Sequence, residues 1–359
     1  MKILVLTKTK YQFLKKGIKN ANEYIQSDSF FSGWISAFQK SGHDIISDSR
    51  SFYFLPLKLA FKFPNIYIFL AKVTKKLRLH LIDRFFLSQS IKKLAKKQGV
   101  NLIFTELNDF LTIKAIEELK SEGIIVAQWV GIYPEMLSND LLCSLDYYNH
   151  ILTPGDIQEE FRKAGIKNAK FHYIGCSYNE KLLYNDYDPI YAYDIVFVGG
   201  ITEKHLNRIA ILEKIADNFD NFAFYGYGID YFPANSKVRK HYKGWAEIKT
   251  IRKLFSSSKI ALNLTLDNYD RYKHGINARA FEIPACKGAV QLALYHKNFD
   301  DFFNENEIVF FHNIQDIVIQ IKSLLKRNDL NDIVARSYLK NKINQYINKI
   351  KLLSKGLLK

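Results

Sequence analysis

Cysteine is scarce in this chain, with only Cys143, Cys176 and Cys286 present. Their odd number and wide spacing exclude a disulfide framework and a CxxC-type metal site, and a reducing cytoplasm is the expected compartment. Proline occurs seven times and glycine seventeen times, which leaves no room for a long disordered linker. No stretch reaches the roughly 18 uninterrupted apolar residues of a membrane span. The nearest approach, Phe52 to Val73, is broken by Lys58, Lys62, Lys72, Pro56 and Pro64. No signal peptide is expected, because the first apolar run, Ile3 to Leu6, is only strand length and lysines follow it. The chain also lacks HExxH, GxxxxGK[ST], a hydrolytic triad and any Cys/His metal spacing, so no metal site is expected.

Acid is in short supply as well: 36 Asp and Glu against 52 Lys and Arg give a formal charge of +16. Such a balance favours an acidic partner, whether nucleic acid, anionic lipid or phosphorylated substrate. An AT-rich coding bias toward Lys, Ile, Asn, Phe and Tyr accounts for it equally well. The rest is ordinary globular composition, with 48% hydrophobic and 25% charged residues. A length of 359 residues suits two domains of roughly 150–180 residues each.

The pattern is β–α alternation. Lys2–Thr7 reads as a strand, Phe30–Lys40 as a helix stopped at Gly42, and Asp44–Ile46 as the next strand, the usual entry to a parallel doubly wound sheet. Further strands are expected at 101–105, 123–127 and 150–153, with helices at 84–98, 111–122 and 156–164. The segment 177–193 is rich in turn formers (Asn179, Asn185, Asp186, Asp188, Pro189) and reads as an interdomain linker. Alternation then restarts, with strands at 194–198, 221–225, 259–263, 289–293 and 308–310 and helices at 203–217, 247–256, 277–286 and 315–326. The expected organisation is a Rossmann-like domain over 1–180, a second over 194–330 and a Lys-rich helical tail over 331–359.

Glycine-rich turns end two strands of the second half. Gly199 and Gly200 close one and precede a helix carrying Arg208; Gly226 lies in Tyr225-Gly-Tyr-Gly228 at the end of the next. Such turns let backbone N–H groups approach a phosphate, although plain tight turns use the same residues. Trp245 precedes a helix and offers an indole for stacking on a nucleobase or for packing. Between Asn263 and Phe310 the chain reads Gly275-Ile-Asn-Ala-Arg-Ala-Phe-Glu-Ile-Pro-Ala-Cys-Lys-Gly288, then Ala-Val-Gln-Leu-Ala, then Phe302-Phe303 and Glu307-Ile-Val-Phe310. Arg279 and Glu282 are three apart and share a helix face. A guanidinium there matches phosphate oxygens, and a carboxylate one turn deeper can accept two ribose hydroxyls. A simple ion pair between the two is the alternative.

This segment resembles the C-terminal domain of the CgeB-like (spore-protein YkvP/CgeB) glycosyltransferases. The resemblance rests on Asn277, Arg279, Phe281, Glu282, Ala285 and Gly288 in order and spacing, and extends over about 194–330. It implies a GT-B fold: two Rossmann-like domains facing each other across a cleft, the second holding a nucleotide-sugar donor and the first an acceptor, a surface glycan or a lipid-linked one. It also implies that Glu282 holds the ribose, with Gly199, Gly200, Arg208, Gly226, Trp245, Asn277 and Arg279 around the donor, and it calls for no cofactor beyond the donor itself. Related retaining enzymes carry a second glutamate seven residues upstream of this one. Here that position is Gly275, flanked by Lys273 and His274. His274 is the candidate substitute, and the departure keeps open a catalytically inactive glycan-binding or scaffold protein.

In the first half, loops after strand ends are where α/β sites form. Glu106 and Asp109 are the candidate acid/base groups there, with Glu135 further on. Residues 58–97 hold Lys58, Lys62, Lys72, Lys75, Lys76, Arg78, Arg84, Lys92, Lys93, Lys96 and Lys97 against the single acid Asp83, interleaved with aromatics. This run reads either as a patch for an anionic membrane surface, at the inner face of the plasma membrane, or as a solvated basic helix over a buried aromatic face. Nucleic acid is not an expected partner, because no recognition motif is present and the basic run lies outside the matched site.

Overall fold

The computed structural model describes residues 1–8, 29–50, 69, 80–106, 110–203, 205–265 and 276–354. The chain forms two units. One comprises Met1–Ile174 with Lys349–Lys359, the other Gly175–Asn348.

The first unit holds β1 (Lys2–Lys8), α1 (Ser29–Lys40), β2 (Asp44–Arg50), α2 (His80–Gln98), β3 (Leu102–Glu106), α3 (Ile113–Ser121), β4 (Ile125–Trp129), α4 (Asn139–Leu145), β5 (His150–Thr153), α5 (Gln158–Lys163) and β6 (Lys170–Tyr173). The strands form one parallel sheet in the order β2-β1-β3-β4-β5-β6. Residues Ile3–Leu6 and Leu102–Phe104 are fully buried with no alternation, the mark of strands covered on both faces. Local chemistry sets the helix ends. Gly42 takes φ 79° past α1, and the His43 amide reaches back to the Phe38 carbonyl, a left-handed cap that only glycine adopts without strain. The Thr112 and Ser138 hydroxyls cap α3 and α4 by accepting from Ala115 and Leu141. The short α4 and β6 escaped the periodicity reading, because seven and four residues carry too few repeats to show a period.

The second unit holds β7 (Ile195–Gly200), α6 (Leu206–Asn218), β8 (Phe222–Tyr227), α7 (Val238–His241), α8 (Ile248–Ser257), β9 (Ile260–Asn263), α9 (Arg279–Ala285), β10 (Val290–Leu294), β11 (Val309–Phe311), α10 (Ile317–Leu325) and α11 (Leu330–Ser354). Its parallel sheet runs β11-β10-β9-β7-β8. One face (Ile195, Phe197, Phe222, Phe224, Ile260, Leu262, Val290, Leu292) packs under Ile211, Leu212, Ile215, Ile317 and Ile321 of α6 and α10.

The segment 177–193, read from composition as a linker, is packed structure of the second unit. Arg252 holds Asp186 at 2.6 Å and Lys253 holds Asp188 at 2.8 Å, while the Ser256 and Ser257 hydroxyls accept from the backbone amides of Asp186 and Asp188. Turn-forming residues were the right reading of its backbone, but their carboxylates fasten it to α8. The unit boundary lies at Ile174/Gly175, before the expected position. Of the tail expected over 331–359, the described part to Ser354 is helical as α11; its residues up to Asn348 belong to the second unit and those from Lys349 to the first.

Candidate functional site

In a parallel sheet, ligands gather at the carboxyl ends of strands where the winding direction reverses. In the second unit that point is β7: the chain passes from it to β8 on one side and then to β9 on the other. The Gly199–Gly200 turn ends β7, Tyr227 ends β8 and Asn263 ends β9.

The glycines here solve a packing problem first. Gly226 has φ 147°, and a Cβ on it would stand 1.8 Å from the Gly199 carbonyl oxygen. A Cβ on Gly200 would stand 2.1 Å from Tyr227 Cζ. The ends of β7 and β8 thus approach more closely than any side chain permits. The Tyr227 ring lies near-parallel to Trp245, at 19° with centroids 6.4 Å apart, and both are exposed (49% and 41%). Tyr227 was not singled out in the sequence. Its signal was the Tyr-Gly-Tyr-Gly turn, read there for its glycines alone.

Arg208 does something the sequence reading did not anticipate. Its Nη1 donates to the Gly200 carbonyl at 2.8 Å, its Nε to Thr265 O at 3.2 Å and its Nη2 to Leu264 O. The guanidinium thereby ties the end of β7 to the chain leaving β9, with Phe197 under it at 5.8 Å. Beside it, at the start of α6, His205 Nδ1 accepts from the Thr202 backbone N–H at 3.1 Å and lies 2.8 Å from Thr202 Oγ1. A backbone donor on Nδ1 requires a lone pair there, so the ring proton sits on Nε2.

Arg279 and Glu282 form an ion pair of 2.7 Å in the first turn of α9. Arg279 also stacks over Phe255 at 5.1 Å, and Glu282 is buried (7% exposed). Asn277 caps the helix, its Oδ1 accepting from the Ala280 N–H at 3.1 Å. Its amide also pairs reciprocally with Asn263, at 2.7 and 3.1 Å. The helix is shorter than the 277–286 expected, because its first residues form the capping turn. At its far end burial raises the Cys286 thiol well above its ordinary range, so it stays protonated and is no nucleophile.

In the first unit the reversal point is β1, between β2 and β3. Glu106 is the last residue of β3, at that carboxyl edge. Asp109, His274 and Gly275 lie outside the described residues. Of the basic run, 58–68 and 70–79 lie outside as well. Within the described part, Phe69, Phe85 and Phe86 are exposed rather than buried, and Arg84 turns inward to donate to the Leu111 carbonyl. The picture of a buried aromatic face is therefore wrong for Phe85 and Phe86, which stand outward one turn or more before Lys93, Lys96 and Lys97. Among the described residues no three His, Cys, Asp or Glu side chains are grouped as a metal site would require, and no helix is long and apolar enough to cross a membrane.

This architecture, two parallel-sheet α/β units in succession, is the GT-B fold of glycosyltransferases. The chain is similar to the trehalose-6-phosphate protein from E. coli bound with UDP-2-fluoro glucose, at TM-score 0.61 and 12% identity over 100% of this chain and 99% of that one. It is similar to HepE from Anabaena in complex with UDP and glucose, at TM-score 0.57 and 11% identity over 99% of each chain. Sucrose-phosphate synthase from Thermosynechococcus elongatus aligns at TM-score 0.59 and 11% identity, over 99% of this chain and 98% of that one. In sequence, residues 208–347 match the family described as "Glycosyl transferase-like". No curated protein matches the chain.

Proposed function

We propose that this chain is a glycosyltransferase of the CgeB-like kind, moving a sugar from a nucleotide-sugar donor to a glycan or lipid-linked acceptor. One observation carries the reading. The Gly199–Gly200 turn, Arg208 and the Arg279–Glu282 pair gather about the reversal point of the second sheet, within or beside the segment 208–347 that resembles glycosyl transferases in sequence. Glu282 accepts the ribose hydroxyls, Arg279 meets phosphate oxygens, and Tyr227 with Trp245 presents an aromatic surface to the base. The anomeric carbon–oxygen bond breaks with its electron pair going to the diphosphate, whose charge the guanidinium of Arg279 stabilises without a required metal. The acceptor hydroxyl forms the new bond and gives up its proton to a carboxylate, for which Glu106 and Asp109 are the candidates. HepE in complex with UDP-glucose supports a uridine donor. The outward Phe85 and Phe86, next to a lysine-rich helix face, support docking at an anionic membrane where a lipid-linked acceptor resides.

The test is nucleotide binding. A charge-assisted bond is worth about 1.5–3 kcal/mol, and two from one carboxylate to one ribose are not additive, so Glu282→Ala weakens UDP binding by at least roughly 10- to 100-fold, and Glu282→Gln by less. Wild-type affinity in the alanine variant removes the assignment. The Gly275 departure favours one second reading, a donor-binding protein without transfer activity; absence of both transfer and donor hydrolysis in a chain that binds UDP-sugar decides for it.

A further inference from the structure

The hydrogen bonds of the Asn263–Asn277 pair fix the orientation of both amides. The Ala280 N–H can only donate, so the atom of Asn277 facing it is the oxygen. That fixes Asn277 Nδ2 on the other side, donating to Asn263 Oδ1 at 2.7 Å, and leaves Asn263 Nδ2 to donate back to Asn277 Oδ1 at 3.1 Å. The whole array follows from one backbone hydrogen, and neither amide can turn over without losing a bond. Asn263 is 1% exposed at the end of an otherwise apolar strand, where an amide is costly unless fully paired. The pairing fastens the end of β9 to the capping turn of α9, directly before Arg279 and Glu282.

The other end of α9 is held separately. Asn185 Nδ2 donates to the carbonyls of Cys286 and Lys287 at 3.1 and 3.0 Å, while Asn341 Nδ2 donates to Phe281 O, next to Glu282, at 2.8 Å. Loss of the amide pair therefore unties the capping turn ahead of Arg279 from β9, while Asn341 still holds Phe281 and Asn185 the far end.

We infer that Asn263 and Asn277 are positioning residues that set the first turn of α9 so that Glu282 meets the donor ribose; Asn277 acts through the helix and not by touching the donor. This rests on the ribose reading of Glu282 given above. Asn263→Asp keeps size and acceptor but removes the donor, setting a carboxylate oxygen against Asn277 Oδ1, which the Ala280 N–H prevents from turning away. The measurement is UDP against 2′-deoxy-UDP affinity by titration calorimetry, with thermal unfolding alongside. Wild type prefers UDP by roughly tenfold, the loss of one charge-assisted bond. Asn263→Asp binds the two within about twofold of each other, as Glu282→Ala does. Asn277→Asp, at a partly buried position where aspartate is also a good helix cap, gives the same loss and serves if the first variant does not fold. Asn185→Ala, which loosens only the far end, lowers the melting temperature but keeps the preference for UDP.

Wild-type preference in folded Asn263→Asp or Asn277→Asp, with Glu282→Ala having lost it, overturns the positioning role alone. Loss of the preference in Asn185→Ala as well overturns it too, since any loosening would then suffice. If wild type itself does not distinguish the two nucleotides, the ribose reading fails and this inference falls with it.

Discussion

Arg208 separates two accounts of the same residue. As a phosphate clamp it would leave the fold almost untouched when replaced. The structure instead spends three of its donors on the carbonyls of Gly200, Leu264 and Thr265, at the end of β7 and just past the end of β9. A lysine preserves the charge but reaches one carbonyl at a time, so Arg208→Lys gives up two charge-assisted bonds. Allowing for non-additivity, that costs about 2–4 kcal/mol. For a unit of this size a loss of 1 kcal/mol lowers the melting temperature by roughly 2–4 °C, so the expected drop is roughly 4–16 °C. The assay is thermal unfolding of wild type and variant by circular dichroism, followed by UDP titration well below the variant's midpoint. A melting temperature within about 1 °C of wild type, combined with weakened UDP binding, would refute the strand-tying role and return Arg208 to the phosphate.

Gly226→Ala puts a methyl 1.8 Å from a backbone oxygen at φ 147°, whereas Gly200→Ala meets the movable ring of Tyr227. The first should prevent accumulation of folded protein; the second should fold and show altered quenching of Trp245 fluorescence, because its ring neighbour is displaced. His150 stands 2.7 Å from His172 between β5 and β6, and burial, with Lys170 nearby, depresses it from 6.5 to about 4. The native state thus holds fewer protons than the unfolded chain between those values, so stability is full above pH 6.5 and falls by up to roughly 3 kcal/mol as pH drops toward 4; urea midpoints for His150→Gln should show a shallower fall over that window. Vesicle co-sedimentation should require anionic lipid and weaken with added salt, and Phe85→Ser with Phe86→Ser should reduce it; equal binding to neutral vesicles counts against the membrane surface.

The two α/β halves were legible because buried parallel strands read as short apolar runs, and glycine stops such as Gly42 and Gly165 mark helix ends by backbone sterics alone. The Arg279–Glu282 spacing likewise put both on one face before any coordinates. Composition could not tell a linker from a strap: Asp186 and Asp188 look like turn residues, and only Arg252 and Lys253, more than sixty positions later, make them anchors. The same limit hid the partners of Arg208 and of Asn263. Period and spacing are local properties that a chain carries with it, whereas which carbonyl a guanidinium meets, or which amide closes on another, depends on strands that become neighbours only when the sheet winds back on itself.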